Sequence, residues 1–435
     1  MLQALVRAWT IPDLRRKILF TIGILVIFRA LAQVTLPGID IEALREVFEN
    51  NQVLNLLNVF SGGTLSTFSV VAMGVYPYIT ASIIMQLLVP IVPRLTELSR
   101  EGGEQGRSRI NRYTHYLTVP LAALQAYGQA SLLANGSPPV IAQFGLFGPA
   151  WLTTLALVIT MTAGTMLLVW MGELITEQGI GNGISILIFG GIVAQLPTLA
   201  GQVVTGGSAF ASFFQVLAIV GITLVTIVGI VLITVGERRI PVQYARRVRG
   251  NRVVRGGGST HIPLKVNYAG MIPLIFALSI MIFPATLSGF FINANTAWVR
   301  SAARWVQGTT NPNSAVYQIF FFLMVVLFSY FYTMVIFQQQ QIPENLQRQG
   351  GFIPGIRPGR PTSDYLQRVL NRITLIGALF LGIVAILPWL VGVLIQSQNV
   401  LISSTSLLIV VGVAIDTMRQ LEAQLMMRNY EGFIR

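Results

Sequence analysis

The sequence predicts an all-α polytopic membrane protein: ten transmembrane helices in two five-helix halves of opposite orientation, with a short re-entrant segment. Three observations carry this. Of the 435 residues, 53% are hydrophobic and only 10% charged, with a mean hydropathy of +0.68, whereas a soluble domain carries about 25% charged residues. Apolar runs close to the ~20 residues that span a bilayer recur from end to end. Lysines and arginines gather in alternate connections, as the positive-inside rule demands of a chain threaded back and forth. Aromatics at 10% and 41 glycines suit interface anchoring and close helix packing.

The first run is Ile18–Leu36. It follows Arg15, Arg16 and Lys17 and ends at Leu36-Pro37-Gly38 without an A-x-A-like cleavage site, so it reads as a retained span rather than a leader. Val70–Val92, Tyr113–Ala134 and Trp151–Met171 follow. Tyr113–Ala134 is the weakest, with Pro120, Gln125 and Gln129 inside it, and Ile184–Ala200 is short and interrupted by Pro197. A Gly/Ser/Thr-rich outer linker occupies 201–210. Beyond it come Ala211–Gly236, Ala269–Phe291, Val316–Phe337, Ile373–Ile395 and the short Ser404–Met418. Five runs lie in 1–200 and five in 211–435. Five is odd, so the halves lie in opposite orientations, as in inverted-repeat transport proteins.

With the N-terminus in the cytosol, the cytosolic segments are 1–17, 93–112, 172–183, 237–268, 338–372 and the tail from 419. They hold 25 of the 29 lysines and arginines. Only Arg45, Arg300 and Arg304 fall outside, and Arg29 lies within the first run. Omitting any run would put a basic loop on the wrong face, which fixes both termini in the cytosol. The 237–268 loop is the most basic part of a chain whose net charge is +13, with Arg238, Arg239, Arg246, Arg247, Arg249, Arg252, Arg255 and Lys265. Two readings stand: topology signalling against anionic lipid heads, or a surface for an acidic protein or ribosomal RNA. The near-absence of lysine (Lys17 and Lys265 only) reflects genome composition or a thermophile's habitat.

Asn55 to Phe68 is too apolar for water and too polar and glycine-broken for lipid. It reads as a re-entrant segment buried in protein, with a surface amphipathic helix as the alternative. Ionisable residues inside the runs are scarce: Arg29, Glu173 at a cytosolic end and Asp416 near another. A proton- or sodium-coupled carrier needs acidic or histidine relays at mid-membrane, so that class is disfavoured. Arg29 either bonds a carbonyl or snorkels outward. Thr80, Gln86 and Asn182 have the chemistry to hydrogen-bond between helices, and ordinary helix glue accounts for them equally.

There is no cysteine, and His115 and His261 are the only histidines, which removes thiol chemistry and starves any zinc site of ligands. Gly183-Ile184-Ser185 has no base at its depth to activate the serine. Arg255-Gly256-Gly257-Gly258 lacks the Lys-Ser/Thr ending of a phosphate loop. No enzyme activity and no cofactor are expected.

Several long motifs in fixed order carry a resemblance. They begin with Phe60-Ser61-Gly62-Gly63, Gly74-Val75-Tyr76-Pro77-Tyr78-Ile79-Thr80-Ala81-Ser82-Ile83-Ile84-Met85-Gln86-Leu87-Leu88 and Glu177-Gln178-Gly179-Ile180-Gly181-Asn182-Gly183-Ile184-Ser185. They continue with Pro263-Leu264-Lys265-Val266-Asn267-Tyr268-Ala269-Gly270-Met271-Ile272-Pro273, Phe283-Pro284-Ala285-Thr286, Pro354-Gly355-Ile356-Arg357-Pro358-Gly359 and Thr405-Ser406-Leu407-Leu408-Ile409-Val410-Val411. Over its whole length the chain is similar to bacterial SecY, the family of large pore-forming subunits of the Sec protein translocase.

The resemblance implies a pore between the two halves, in the plasma (inner) membrane. An aliphatic ring of Val75, Ile79, Ile184, Ile188, Ile275 and Ile409 would narrow it; Val75 departs from the family's usual isoleucine. Ser61, Gly62, Gly63, Thr64, Leu65, Ser66, Thr67 and Phe68, within a re-entrant helix at about 55–69, would be a plug. Spans two and three would face spans seven and eight across a lateral gate with Thr80, Gln86 and Asn182 at polar positions. The loops 237–268 and 338–372 would dock the motor ATPase SecA or the ribosome, chiefly through Arg357, with Arg246, Arg247, Arg249, Arg252 and Arg255 beside it. SecE and SecG would be membrane partners, and unfolded preproteins, signal sequences and membrane lipids would meet the channel. The alternative is a secondary transporter of a small solute.

Overall fold

The computed structural model describes residues 9–50, 58, 61–100, 103–134, 139–141, 144–145, 150–205, 209–244, 248–249, 252–253, 260–270, 272–291, 296–311, 314–395 and 403–431. The first half contains α1 (Pro12–Leu31), α2 (Ile41–Asn50), α3 (Tyr76–Leu88), α4 (Pro93–Arg100), α5 (Gly103–Ala134), α6 (Trp151–Gln178) and α7 (Gly183–Thr205). The second contains α8 (Ala209–Val235), α9 (Ile272–Phe291), α10 (Ala297–Thr309), α11 (Ala315–Gln340), α12 (Ile342–Arg348), α13 (Arg360–Ile395) and α14 (Ser403–Glu431). Each of the ten apolar runs falls on a helix. By length and apolarity, stretches in α6, in α11 running on through α12, and in α13 suffice to cross a membrane alone; α3 and α4 make a fourth if their 101° bend joins one span.

The second run departs most from expectation. Of Val70–Val92, only Tyr76–Leu88 is helix; residues 70–75 are turns. Gly74 sits at φ +56°, a left-handed setting that breaks a helix and that glycine adopts freely. Pro77 stands in the first helical turn, where its missing N–H costs nothing. The weak third run is helical throughout because Gln125 and Gln129 are buried against protein, away from lipid. Large apolar side chains on the bundle's outside, among them Val26, Val225, Leu232, Ile319, Leu327 and Ile376, are exposed. An apolar belt of that size belongs in hydrocarbon.

Helices of each half pack mainly on one another, and the halves meet along two seams. On one side α9 lies against α3 and α5; on the other α14 and α8 lie against α7. One large apolar core runs through both halves.

The loops 237–268 and 338–372 add strands to an otherwise helical chain. β1 (Glu237–Tyr244), β2 (Val248–Arg249), β3 (Arg252–Val253) and β4 (Thr260–Lys265) come from the first loop, and β5 (Gly351–Phe352) from the second. The main sheet has the order β4-β1-β5, with Ile240 opposite Ile262 and Gln243 opposite Phe352. Ile240 and Val242 alternate inward and join Leu264, Phe337, Leu346, Leu366 and Leu370 in a second core. Each such buried side chain contributes roughly 1.5–3 kcal/mol. The two loops are therefore one folded platform on the ends of α11 and α13.

Candidate functional site

Ser61–Phe68 forms consecutive turns; of the expected re-entrant helix at about 55–69, residues 55–57, 59 and 60 lie outside the described residues. Its polar groups are satisfied locally. Gly63 N donates to Asn58 O (2.8 Å), Leu65 N to Ser61 Oγ (3.1 Å) and Ser66 N to Asn58 Oδ1 (2.8 Å). The Thr64 hydroxyl, fully buried, faces three carbonyls: Ser61 at 2.8 Å, Val71 at 2.9 Å and Ala72 at 3.3 Å. Two short bonds tie the segment to the strand-like exit of α1, Leu36 N to Phe68 O and Val70 N to Val34 O. The Thr67 hydroxyl donates to Ala32 O (2.9 Å) and Arg29 Nη1 to Gly62 O (3.4 Å). Arg29 thus takes the carbonyl-bonding reading.

Against α7 the segment packs backbone to backbone. A Cβ on Gly191 would stand 2.4 Å from Gly62 Cα, and one on Gly62 would stand 2.8 Å from Gly191 Cα. Gln195 Nε2 donates to Asn58 O (3.4 Å) one turn further along. Sequence reasoning missed Gly191 and Gln195, whose only signal is the glycine pair Gly190-Gly191 inside an apolar run.

The six proposed ring residues come from α3 and its N-cap, α7, α9 and α14, and all join the large core. Val75, Ile188, Ile275 and Ile409 are buried; Ile79 and Ile184 are partly exposed and pack on it. All six side chains are aliphatic, so packing alone holds them.

A long-range hydrogen bond crosses the seam between α3/α5 and α9, from the buried Tyr76 hydroxyl to Ser279 O (2.8 Å). On the far side of α9, Phe276 meets Phe328 and Tyr332 of α11 edge to face. Thr80, Gln86 and Asn182 make no bond between helices. Thr80 donates to Tyr76 O one turn back (3.1 Å), the habitual partner of a helical threonine. Gln86 Nε2 donates to Ser82 Oγ (3.2 Å), and Asn182 Oδ1 accepts from Ser185 N (3.3 Å) as the cap of α7. Gln86 Oε1 is buried without a partner. It lines a cavity of about 450 Å³ whose other walls include Tyr78, Arg107, Asn111, Val335 and Ile336, so α3, α5 and α11 are separated at that end of the seam.

At the same end Tyr78 donates to Asn111 Oδ1 (3.3 Å), Asn111 Nδ2 to Glu173 Oε1 (3.1 Å), and His115 Nε2 lies 3.0 Å from that oxygen. Glu173 is thereby a link between α5 and α6. Under the sheet, Arg419 Nη2 donates to Thr234 O (2.8 Å), a cation on the carbonyl end of α8. Burial, and then the charge of Arg419, hold the Lys265 ammonium below its ordinary pKa, against the opposing pull of Asp416 and Glu237.

Arg357 is exposed on a tight turn. Ile356 N donates to Ile353 O (3.0 Å) across Pro354-Gly355, with Gly355 at φ +81°, the arrangement of a type II turn. The buried Thr362 donates to Arg357 O (2.8 Å). Arg249 and Arg252 face each other as Cα partners on the β2–β3 ribbon; Arg246, Arg247 and Arg255 lie outside the described residues.

A helical membrane bundle, split by two seams and carrying a small sheet platform at one end, is the class that these elements define. The family profile for SecY matches residues 69–418, and the chain belongs to the SecY family. A protein translocase subunit SecY of Streptomyces galbus is 43% identical over 448 residues, covering 100% of each chain. Three solved structures share the fold. One described as a protein conducting channel has TM-score 0.65 and 16% identity over 94% of this chain and 92% of its own. A SecY protein studied for its plug domain, described as stabilising the closed channel, has TM-score 0.62 and 17% identity over the same shares. Sec61 from a canine ribosome–channel complex has TM-score 0.61 and 15% identity, again over the same shares.

Proposed function

We propose that the chain is the pore-forming subunit of a protein translocase: a passive, gated conduit that conducts unfolded secretory chains and releases apolar segments sideways into lipid. The seam of α9 against α3 and α5 carries this reading. It joins the two halves mainly by apolar packing, with the Tyr76–Ser279 hydrogen bond across it, a closure that a partner can open. An apolar segment of ~20 residues entering there is more stable in hydrocarbon than in water.

In this reading ten helices cross the plasma membrane as two inverted halves, 1–200 and 211–435, with both termini cytosolic. Val75, Ile79, Ile184, Ile188, Ile275 and Ile409 form a constriction that excludes ions by dewetting. Ser61–Phe68 plugs it, and Thr80, Gln86 and Asn182 tune the gate. Arg357 and the β2–β3 ribbon dock SecA or the ribosome, with SecE and SecG beside the chain in the membrane. The small-solute transporter loses its ground with the family membership.

Reconstitution with SecE, SecG and SecA tests the function. ATP-dependent import of a presecretory protein into vesicles is expected; no import where a known SecY succeeds would overturn it. Arg357→Glu is expected to abolish SecA-driven import while membrane assembly persists.

A further inference from the structure

α10 joins the ends of α9 and α11 and presents three unlike faces. Ala303 is buried and Val299, Val306 and Gln307 are half-buried on the side that packs against α9. Trp298 and Trp305, two turns apart and therefore on one face, are 74% and 69% exposed. Arg300 and Arg304, one turn apart and both exposed, lie roughly 130° around the helix from the indoles at 100° per residue.

The path of the chain fixes what borders these faces. α9 ends at Phe291 and α10 begins at Ala297, and the five residues between reach at most about 18 Å. α11 resumes at Ala315 with Ser314 as its cap. A helix held this close to two span ends lies at the level where they leave the bilayer. Indoles are most stable at that level, apolar body toward the acyl chains and N–H toward the headgroups. Guanidinium groups there bond phosphate oxygens with charge assistance. A protein face would not need the aromatic and basic sides to diverge; a helix lying in a lipid interface does.

We propose that α10 is an interfacial helix that docks on the lipid surface beside α9, with Trp298 and Trp305 at the acyl–headgroup boundary and Arg300 and Arg304 on anionic phospholipid headgroups. The proposal rests on α9 and α11 crossing the membrane, not on what the channel carries. It is tested on the full chain in vesicles of phosphatidylcholine and phosphatidylglycerol in equal parts. The difference in tryptophan emission between the unaltered chain and W298F/W305F isolates the two indoles; the single variants W298F and W305F serve if the double variant fails to assemble. The expected difference signal is blue-shifted, insensitive to iodide, and quenched more by shallow than by deep nitroxide lipids. With R300Q/R304Q, the preference for quenching by brominated phosphatidylglycerol over brominated phosphatidylcholine falls about fivefold per arginine. A red-shifted signal quenched by iodide overturns the proposal, as does shielding that arises only when a protein partner is added. A chain that transports with water-exposed indoles sinks this proposal alone; one that shows the lipid signature without transport sinks the translocase reading alone.

Discussion

Thr64 and Ile409 are both fully buried, yet opposite physics holds them. Thr64 sits in a short segment whose polar groups bond to one another and to neighbouring carbonyls, and whose Gly62 meets Gly191 of α7 with no side chain between. Ile409 sits among aliphatic residues of the large core, where contact is non-directional and any side chain of similar volume serves. The difference teaches what each region tolerates. A directional, close-packed segment holds one position and fails abruptly when a single atom is added. The proposed aliphatic ring yields to volume changes but not to polarity, which would suit a passage that must part for many different chains and reseal.

The sharpest way to break the comparison is at the glycine contact. Gly191→Ala places a Cβ 2.4 Å from Gly62 Cα, and backbone on both sides cannot give way. A strain of roughly 2 kcal/mol would shift the seated-to-displaced ratio of the proposed plug about thirtyfold. Single-channel recording is expected to show frequent openings without substrate. A resting conductance equal to that of the unaltered chain would mean the contact does not hold the plug.

A polar change in the ring is the complementary break. Ile409→Asn buries an amide with nothing to bond and invites water into a dry constriction, at a cost of about 1.5 kcal/mol. A roughly tenfold rise in chloride leak is expected, with Ile409→Val near the unaltered level. Equal leak from both would show that dryness is not the seal.

The sequence disclosed these two regions unequally. Ionisable scarcity, apolar runs and charge alternation are summed properties, so the bundle was legible even where one run was weak; Gln125 and Gln129 merely lower the hydropathy of a face that turns inward. The alternation of Ile240 and Val242 was present too, but their partners Ile262 and Thr260 lie beyond a charge-rich connection that hides the pairing. Tyr76 is not legible as a seam residue because its partner is a backbone carbonyl 203 residues away, and every residue offers one. Thr80, Gln86 and Asn182 were legible as polar residues in apolar surroundings. Their bonds run locally instead because a nearby carbonyl, hydroxyl or helix end is always the nearer partner.

Thr64→Val sharpens the directional side at constant shape. It removes the one donor that faces three carbonyls, a loss of about 1 kcal/mol, or roughly fivefold in local opening. Hydrogen exchange is expected to accelerate at the amides of Phe68 and Ser69, which bond to Leu65 O and Thr64 O. Exchange elsewhere in α7 and α9 should stay unchanged. A uniform acceleration would mean the hydroxyl supports the whole bundle rather than this segment.

The smallest effect falls where the two kinds of region meet. Tyr76 belongs to the apolar core by burial, but its hydroxyl makes a directional bond across the α3–α9 seam. Hydrogen bonds between membrane helices average about 0.6 kcal/mol, because the parted helices find other partners. Tyr76→Phe should therefore ease gate opening about threefold, far less than the glycine change, and leave the folded chain intact. Labelling of a cysteine placed inside the α3–α9 seam, which proceeds only from the open state, reads the opening directly. A threefold faster labelling in the resting state fits a gate held mostly by packing. A tenfold or greater acceleration would make this bond the latch and move the seam to the directional side of the comparison.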